Sequence, residues 1–145
     1  KELEKLNERV VYFDTDSIIY EYNKDLYNIP DGKYLGEWED ECKGKPITEF
    51  VSIGPKSYSY KYDGKTETKF KGFTLNYENG KKITFDTIKE LLDGNVKSLD
   101  TINLNFKKDK KLGCIHTEEQ VKSASFCYSK REIVGYRTYP FGYVK

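Results

Sequence analysis

The sequence has few cysteines, no long apolar run and almost no net charge, and each shortage excludes a class of protein. Cys42, Cys114 and Cys127 are an odd number, widely separated and without a C-x-x-C pair, so no disulfide framework is expected and the thiols read as free. Apolar stretches last only a few residues, too short to span a bilayer, and Lys1-Glu2-Leu3-Glu4-Lys5 offers no apolar signal core. An intracellular, soluble chain with no membrane partner is therefore expected. There is no G-x-x-x-x-G-K-[ST] phosphate loop, no internal repeat and no low-complexity linker. A formal net charge of +1 is too small to announce a nucleic-acid partner, so any basic surface has to come from local segregation of charge.

Such segregation is present. Between Gly54 and Gly72 stand Lys56, Lys61, Lys65, Lys69 and Lys71 against only Asp63 and Glu67. Lys107-Lys108-Asp109-Lys110-Lys111 forms a second basic cluster, and Glu37-Trp38-Glu39-Asp40-Glu41 is an acidic block, which reads as a solvated face. The aromatics are 13 Tyr and 8 Phe against a single Trp, a bias that suits sheets better than helical bundles. With 145 residues the chain is long enough for one compact unit or two small lobes.

Leu3 and Leu6, three apart among Glu and Lys, fit the last turns of a helix. Val10 to Phe13 and Ile18 to Tyr22 are β-branched and aromatic runs either side of Asp14-Thr15-Asp16-Ser17, which predicts strand, tight turn, strand. Asn28-Ile29-Pro30-Asp31-Gly32 is turn chemistry, with a strand expected from near Leu35. Glu49 to Ser52, Tyr58 to Tyr62 and Glu67 to Phe73 predict an antiparallel meander, its second turn made by Asp63-Gly64. Thr84 to Gly94 predicts a helix capped by Thr84 or Asp86, with Ile88, Leu91 and Leu92 as its apolar face. Strands are expected at Ile102 to Phe106 and within Ser123 to Tyr128, joined through the lysine cluster and Leu112-Gly113. His116, two residues after Cys114, reads as a loop histidine, because the spacing to Cys42 or Cys127 is not the usual zinc pattern.

Two aspartates at i and i+2 at a hairpin tip are expected to point to one side of the ribbon, because side chains in extended chain alternate with a period of two, so both carboxylates can face one cation. Mg²⁺ takes oxygen ligands, keeps waters and leaves room for substrate phosphates. A bare D-x-D is more often a solvated turn, but Tyr12-Phe13-Asp14-Thr15-Asp16-Ser17 between apolar strands resembles the Y-x-D-T-D-S motif of family B DNA polymerases. The resemblance implies a DNA-directed DNA polymerase using two-metal nucleotidyl transfer. Asp16 would be the main Mg²⁺ ligand and Asp14 a supporting, more distant one, with Tyr12, Thr15 and Ser17 completing the motif. Phe13 stands where cellular members usually have Gly, a position that varies in the protein-primed viral and plasmid branch.

Lys56-Ser57-Tyr58 is similar to the K-x-Y motif that contacts the primer strand near its 3′ end in that family. Lys69-Phe70-Lys71-Gly72-Phe73 resembles the lysine-glycine element at its palm to thumb junction. On the residues alone, the alternating lysines and tyrosines of Lys56 to Tyr62 fit a nucleic-acid track and an exposed edge strand equally. Tyr34-Leu35-Gly36-Glu37-Trp38-Glu39 is like a leucine-glycine-x-tryptophan strand of the protein-primed branch, with Trp38 expected in the core. The segment from Arg131 to Val144 resembles the terminal segment of polymerases from Polinton-like and adintovirus-like elements. The resemblance implies an α+β fold, an antiparallel sheet carrying the carboxylate hairpin, with residues 1–72 as the C-terminal part of a palm and 73–145 as a small mixed thumb and tail. It implies primer-template DNA and deoxynucleoside triphosphate as partners, along with the N-terminal remainder of the polymerase and a terminal-protein primer.

The D-x-x-S-L-Y-P aspartate and the K-x-x-x-N-S-x-Y-G triphosphate-binding helix of that family do not occur here. Both precede the carboxylate hairpin in the family, so a fragment beginning just before it is expected to lack them and to be inactive alone. The competing expectation is a non-catalytic nucleic-acid-binding module that retains the fold and the basic strand. A metal-dependent nuclease of another kind would need further acidic or histidine ligands in register with the hairpin.

Overall fold

The computed structural model describes residues 1–126, 131–134, 137–140 and 142. It divides into two compact units, Lys1–Ile47 and Thr48–Lys145. That division falls inside the segment 1–72 that the sequence groups together. The fold is α+β, with few helices and antiparallel sheets.

In the first unit, helix α1 (Glu2–Leu6) runs through a 3-10 turn (Asn7–Arg9) into β1 (Val10–Asp14), which pairs antiparallel with β2 (Ser17–Tyr20). The expected helix forms, with Leu6 buried and Leu3 exposed. Tyr27 donates from its hydroxyl to the Glu2 carboxylate, which Lys5 also contacts at 3.2 Å. These two bonds, Tyr27 first, hold the Glu2 carboxyl below its ordinary pKa, and Glu2 in turn raises that of Tyr27. No strand forms at Leu35. Instead Glu37 N donates to Tyr34 O at 2.9 Å, Gly36 takes a φ of +92°, and Leu35 is fully exposed. The Gly after Leu35 permits a turn that strand propensity alone did not anticipate. Trp38 is half-buried, not in the core, and forms a single bridge with Asp31.

The second unit opens with a three-stranded sheet in the order β3 (Ile47–Gly54), β4 (Ser57–Tyr62), β5 (Lys65–Phe70). The link from β3 to β4 is two residues, and such a link joins only antiparallel strands. The β4 to β5 turn has both Asp63 (φ 47°) and Gly64 (φ 71°) at positive φ, the primed geometry that Asp-Gly favours. Helices α2 (Tyr77–Lys82) and α3 (Phe85–Leu92) follow. Thr84 and Thr87 form a reciprocal capping box at the start of α3, and Gly94 follows its end at φ 77°. α2 carries no apolar stripe; its signal is Asn76, whose side chain caps the helix by accepting from Asn79 N at 2.9 Å.

The core gathers Val51 and Ile53 of β3, Phe70 of β5, Ile83, Phe85, Ile88 and Leu91 from the α3 region, and Ala124. Val51, Ile53 and Phe70 sit at the period-two positions facing α3, and burying each such side chain contributes about 1.5–3 kcal/mol. Leu92, expected on the apolar face of α3, is exposed, and Phe85 takes that role. The chain continues as a long hairpin, β6 (Leu99–Asp109) with β7 (Cys114–Ala124), and a short one, β8 (Arg131–Val134) with β9 (Arg137–Pro140). Lys107 and Lys108 are therefore strand residues, and His116 lies in β7 opposite Lys107 instead of in a loop. The Ser123 to Tyr128 strand shrinks to the end of β7 at Ala124, while Cys127 and Tyr128 lie outside the described residues. No helix among the described residues is long and apolar enough to cross a membrane.

Candidate metal-binding and nucleic-acid-contacting residues

Pairing of β1 with β2 puts Tyr12 opposite Ile19, Phe13 opposite Ile18 and Asp14 opposite Ser17, so the hairpin loop is only Thr15-Asp16. Burial alternates along β1: Val11 and Phe13 are exposed, while Tyr12 and Asp14 on the other face are half-buried. Phe13 thus stands on the side away from Asp14. The period-two argument stops at Asp14, because Thr15 turns the chain at φ 47° and Asp16 is aimed by that turn. Thr15 Oγ1 donates to Asp14 Oδ1 at 3.1 Å, and Ser17 Oγ donates to the Asp14 carbonyl at 3.1 Å. The two hydroxyls of the motif thereby fix one carboxylate and close the turn beneath the other.

A β-branched residue at positive φ is a conformational outlier that costs on the order of 1–3 kcal/mol. Thr15→Gly is expected to relieve that strain and raise stability by about 1 kcal/mol, or roughly 2–4 °C in melting temperature for a chain of this size. Thr15→Ala keeps the strain while removing the hydroxyl, so it should not share the gain. Thermal unfolding of both variants, followed through the β1–β2 amides of the first unit, checks this, and a Thr15→Gly unit less stable than Thr15→Ala would show that the turn is not strained.

The open end of the hairpin is held by Arg9, which the sequence did not single out. Its guanidinium donates to the carbonyls of Glu21 (3.1 Å) and Tyr27 and to Asn28 Oδ1 (3.4 Å), and lies 5.8 Å from the Tyr20 ring. Its carbonyl accepts from Glu21 N at 2.8 Å. Position immediately before the hairpin was the one available signal, and nothing in the sequence said which carbonyls it would reach.

The other candidates belong to the second unit. Lys56 occupies the two-residue turn between β3 and β4, exposed and at φ 59°. Ser57 pairs with Phe70, and Tyr58 with Lys69. The Lys71 backbone N donates to Ser57 Oγ at 3.3 Å. Lys56, Lys69 and Lys71 therefore collect at one end of the β4–β5 pair, and all three are exposed. Tyr58 is different. It is 4% exposed, with its ring 5.9 Å from Phe50 and 6.3 Å from Tyr60, so it is packed into the sheet and no face is open for stacking on a base. Lys61 is engaged as well, paired with Glu49 at 3.1 Å and lying 4.2 Å from the Phe85 ring.

Among the described residues no group of three or more His, Cys, Asp or Glu gathers in a way that would hold a metal ion. Asp14 and Asp16 offer only oxygen donors, the type that a hard divalent ion takes, and two carboxylates alone would leave the coordination of such an ion incomplete. No known protein family, curated protein or solved structure matches the chain.

Proposed function

We propose that the chain is the C-terminal palm and thumb portion of a family B DNA polymerase of the protein-primed kind, contributing two carboxylates and a primer-strand contact to nucleotidyl transfer. The observation that carries this reading is the hairpin Tyr12 to Ser17, whose two-residue turn sets Asp16 at the tip of a paired strand and leaves Asp14 hydrogen-bonded at its edge. Asp16 would hold the catalytic Mg²⁺ with Asp14 in support, and a third carboxylate and a triphosphate-binding group would have to come from elsewhere in the polymerase. When bound, the ions neutralise charge developing on the attacking and leaving oxygens. Thr15 restrains the Asp14 carboxylate, Ser17 closes the turn, and Arg9 ties the base of the hairpin to the loop that follows it. Lys56, Lys69 and Lys71 hold primer-strand phosphates. Tyr58, fixed in the sheet, contributes at most its hydroxyl.

A Mn²⁺ titration of the 145-residue chain followed by amide line broadening tests the carboxylate assignment. Broadening is expected to centre on residues 14–17 and to be lost in Asp16→Asn. Broadening that survives the substitution would place the ion elsewhere.

The lysine assignment has its own test. In a polymerase carrying this segment, Lys56→Ala is expected to weaken primer-template binding and reduce the slope of log affinity against log salt by roughly one unit, the signature of one lost phosphate contact. Because β4 is the central strand and Lys56 stands in the turn before it, the edge-strand role is closed to this lysine, and a lysine serving only the turn would leave the slope unchanged. Equal slopes and equal affinities for the two proteins would remove Lys56 from the primer contact, and Tyr58→Phe probes the tyrosine hydroxyl in the same assay.

A further inference from the structure

The β6–β7 hairpin is built the wrong way round for a strand pair that serves only its own domain. Strands ordinarily bury their apolar positions and expose their polar ones. Here the buried positions of β6 are Thr101 and Asn103, and Asn103 Oδ1 accepts from Asn79 Nδ2 at 2.9 Å. Further along the same face Asn105 donates to Gln120 at 2.8 Å and Lys107 pairs with Glu118. The opposite face carries Ile102, Leu104, Phe106, Ile115 and Val121, each between 47% and 80% exposed. Contiguous exposed apolar surface of this kind marks an interaction site.

The register identifies what sits in the middle of that surface. Glu119 is directly opposite Leu104, with Ile102 and Phe106 as its diagonal neighbours and Val121 two residues along its own strand. It is exposed. A carboxylate at the centre of an apolar face repels a phosphate backbone, and of the cluster Lys107 to Lys111 the paired residue on this face is Lys108, opposite Ile115 at its end and four residues along β6 from Leu104. A second copy fits poorly too. Stacking two such faces about a two-fold axis through their centre sets Glu119 either against itself or against Leu104; the first arrangement brings Asp100 to Lys108 at the ends of the face, but the central carboxylate is left without a cation in both. The surface is complementary to an apolar element with a cation at its centre.

We propose that the Ile102–Phe106 face of the β6–β7 hairpin docks a protein segment whose apolar side chains surround a central lysine or arginine, which pairs with Glu119. Apolar contact would supply the attraction and the central charge pair the selectivity, because a like charge at that point is desolvated against Glu119. This surface is independent of the polymerase reading and would stand without it.

The test uses two amphipathic helical peptides, identical except for Lys or Glu at the centre of the apolar face, titrated into the 145-residue chain while amide shifts are recorded. The Lys peptide is expected to shift β6 and β7 amides and bind about tenfold more tightly than the Glu peptide. Glu119→Lys should reverse that preference and Glu119→Gln abolish it, with amides of the β3–β5 sheet unchanged as the control for folding. Equal affinities, shifts outside the hairpin, or no binding by either peptide would overturn the proposal and leave Glu119 as a guard against aggregation. A duplex oligonucleotide shifting the same face, or concentration-dependent dimerisation through it, would equally overturn it.

Discussion

Asp16→Asn, in a polymerase that carries this segment, is expected to lower primer extension by roughly three orders of magnitude or more, equivalent to about 4 kcal/mol of lost transition-state stabilisation. Asn is the same size as Asp and still offers a carbonyl oxygen, so what disappears is a negative charge. In phosphoryl transfer, positioning and charge neutralisation supply nearly all the catalysis, and a missing ligand charge falls directly on the barrier. The position of Asp16 strengthens the expectation. It is exposed in the turn itself, where no burial penalty or packing contact is at stake, so the substitution has little reason to destabilise the hairpin. Primer-template affinity should be nearly unchanged for the same reason. Asp14→Asn should be less damaging at the metal and more damaging to the turn, since Asp14 accepts the Thr15 hydroxyl. Steady-state extension alongside equilibrium DNA binding separates the two effects. Extension by Asp16→Asn within tenfold of the parent would make the hairpin a structural turn and remove the metal assignment.

The sequence carried the β1–β2 and β4–β5 hairpins well and the long β6–β7 hairpin poorly, for physical reasons that differ by element. β1 and β2 were legible because two apolar runs flank four polar residues, and the β4–β5 turn because Asp-Gly has few other uses. The helix at Phe85–Leu92 announced itself through its Thr84 cap and its apolar spacing. By contrast, α2 has no apolar stripe, and its stabilising contacts run from Asn79 to Thr74 and Asn103, the second a residue far along the chain. The strand expected near Leu35 failed because Gly36 turns the chain, and one residue at positive φ outweighs the propensity of its neighbours. At the site, spacing placed Asp14 and Asp16 on a hairpin tip, but strand alternation could not describe a carboxylate that belongs to the turn. Sequence likewise grouped Lys56 with Tyr58 as a single contact motif, whereas the fold exposes one and buries the other. Alternation along a strand says which side a residue faces, and it does not say what lies on that side.

The sharpest contrast between pattern and packing gives the second large effect. Ile88 and Leu92 both sit on the apolar face that the spacing of α3 suggests, yet Ile88 is wholly inaccessible and Leu92 is 39% exposed. Ile88→Ala removes buried methylene groups from the centre of the cluster formed by Val51, Ile53, Phe70 and Leu91, and the surrounding sheet and helix collapse only partly into the space. The expected cost is about 2–5 kcal/mol, a large share of the roughly 5–15 kcal/mol by which a domain is stable. Leu92→Ala removes a side chain that water already reaches, and Ala has the higher helix propensity, so its cost should stay within about 0.5 kcal/mol. Because the chain comprises two compact units, a single unfolding transition cannot be assumed. Urea denaturation should therefore be followed by a probe belonging to the second unit, such as amide signals from β4 and α3. A lower midpoint there for Ile88→Ala, with the β1–β2 amides reporting their own transition, would place Ile88 at the centre of the core. Equal midpoints for the Ile88 and Leu92 variants would mean that α3 does not pack on the β3–β5 sheet through the face containing Ile88.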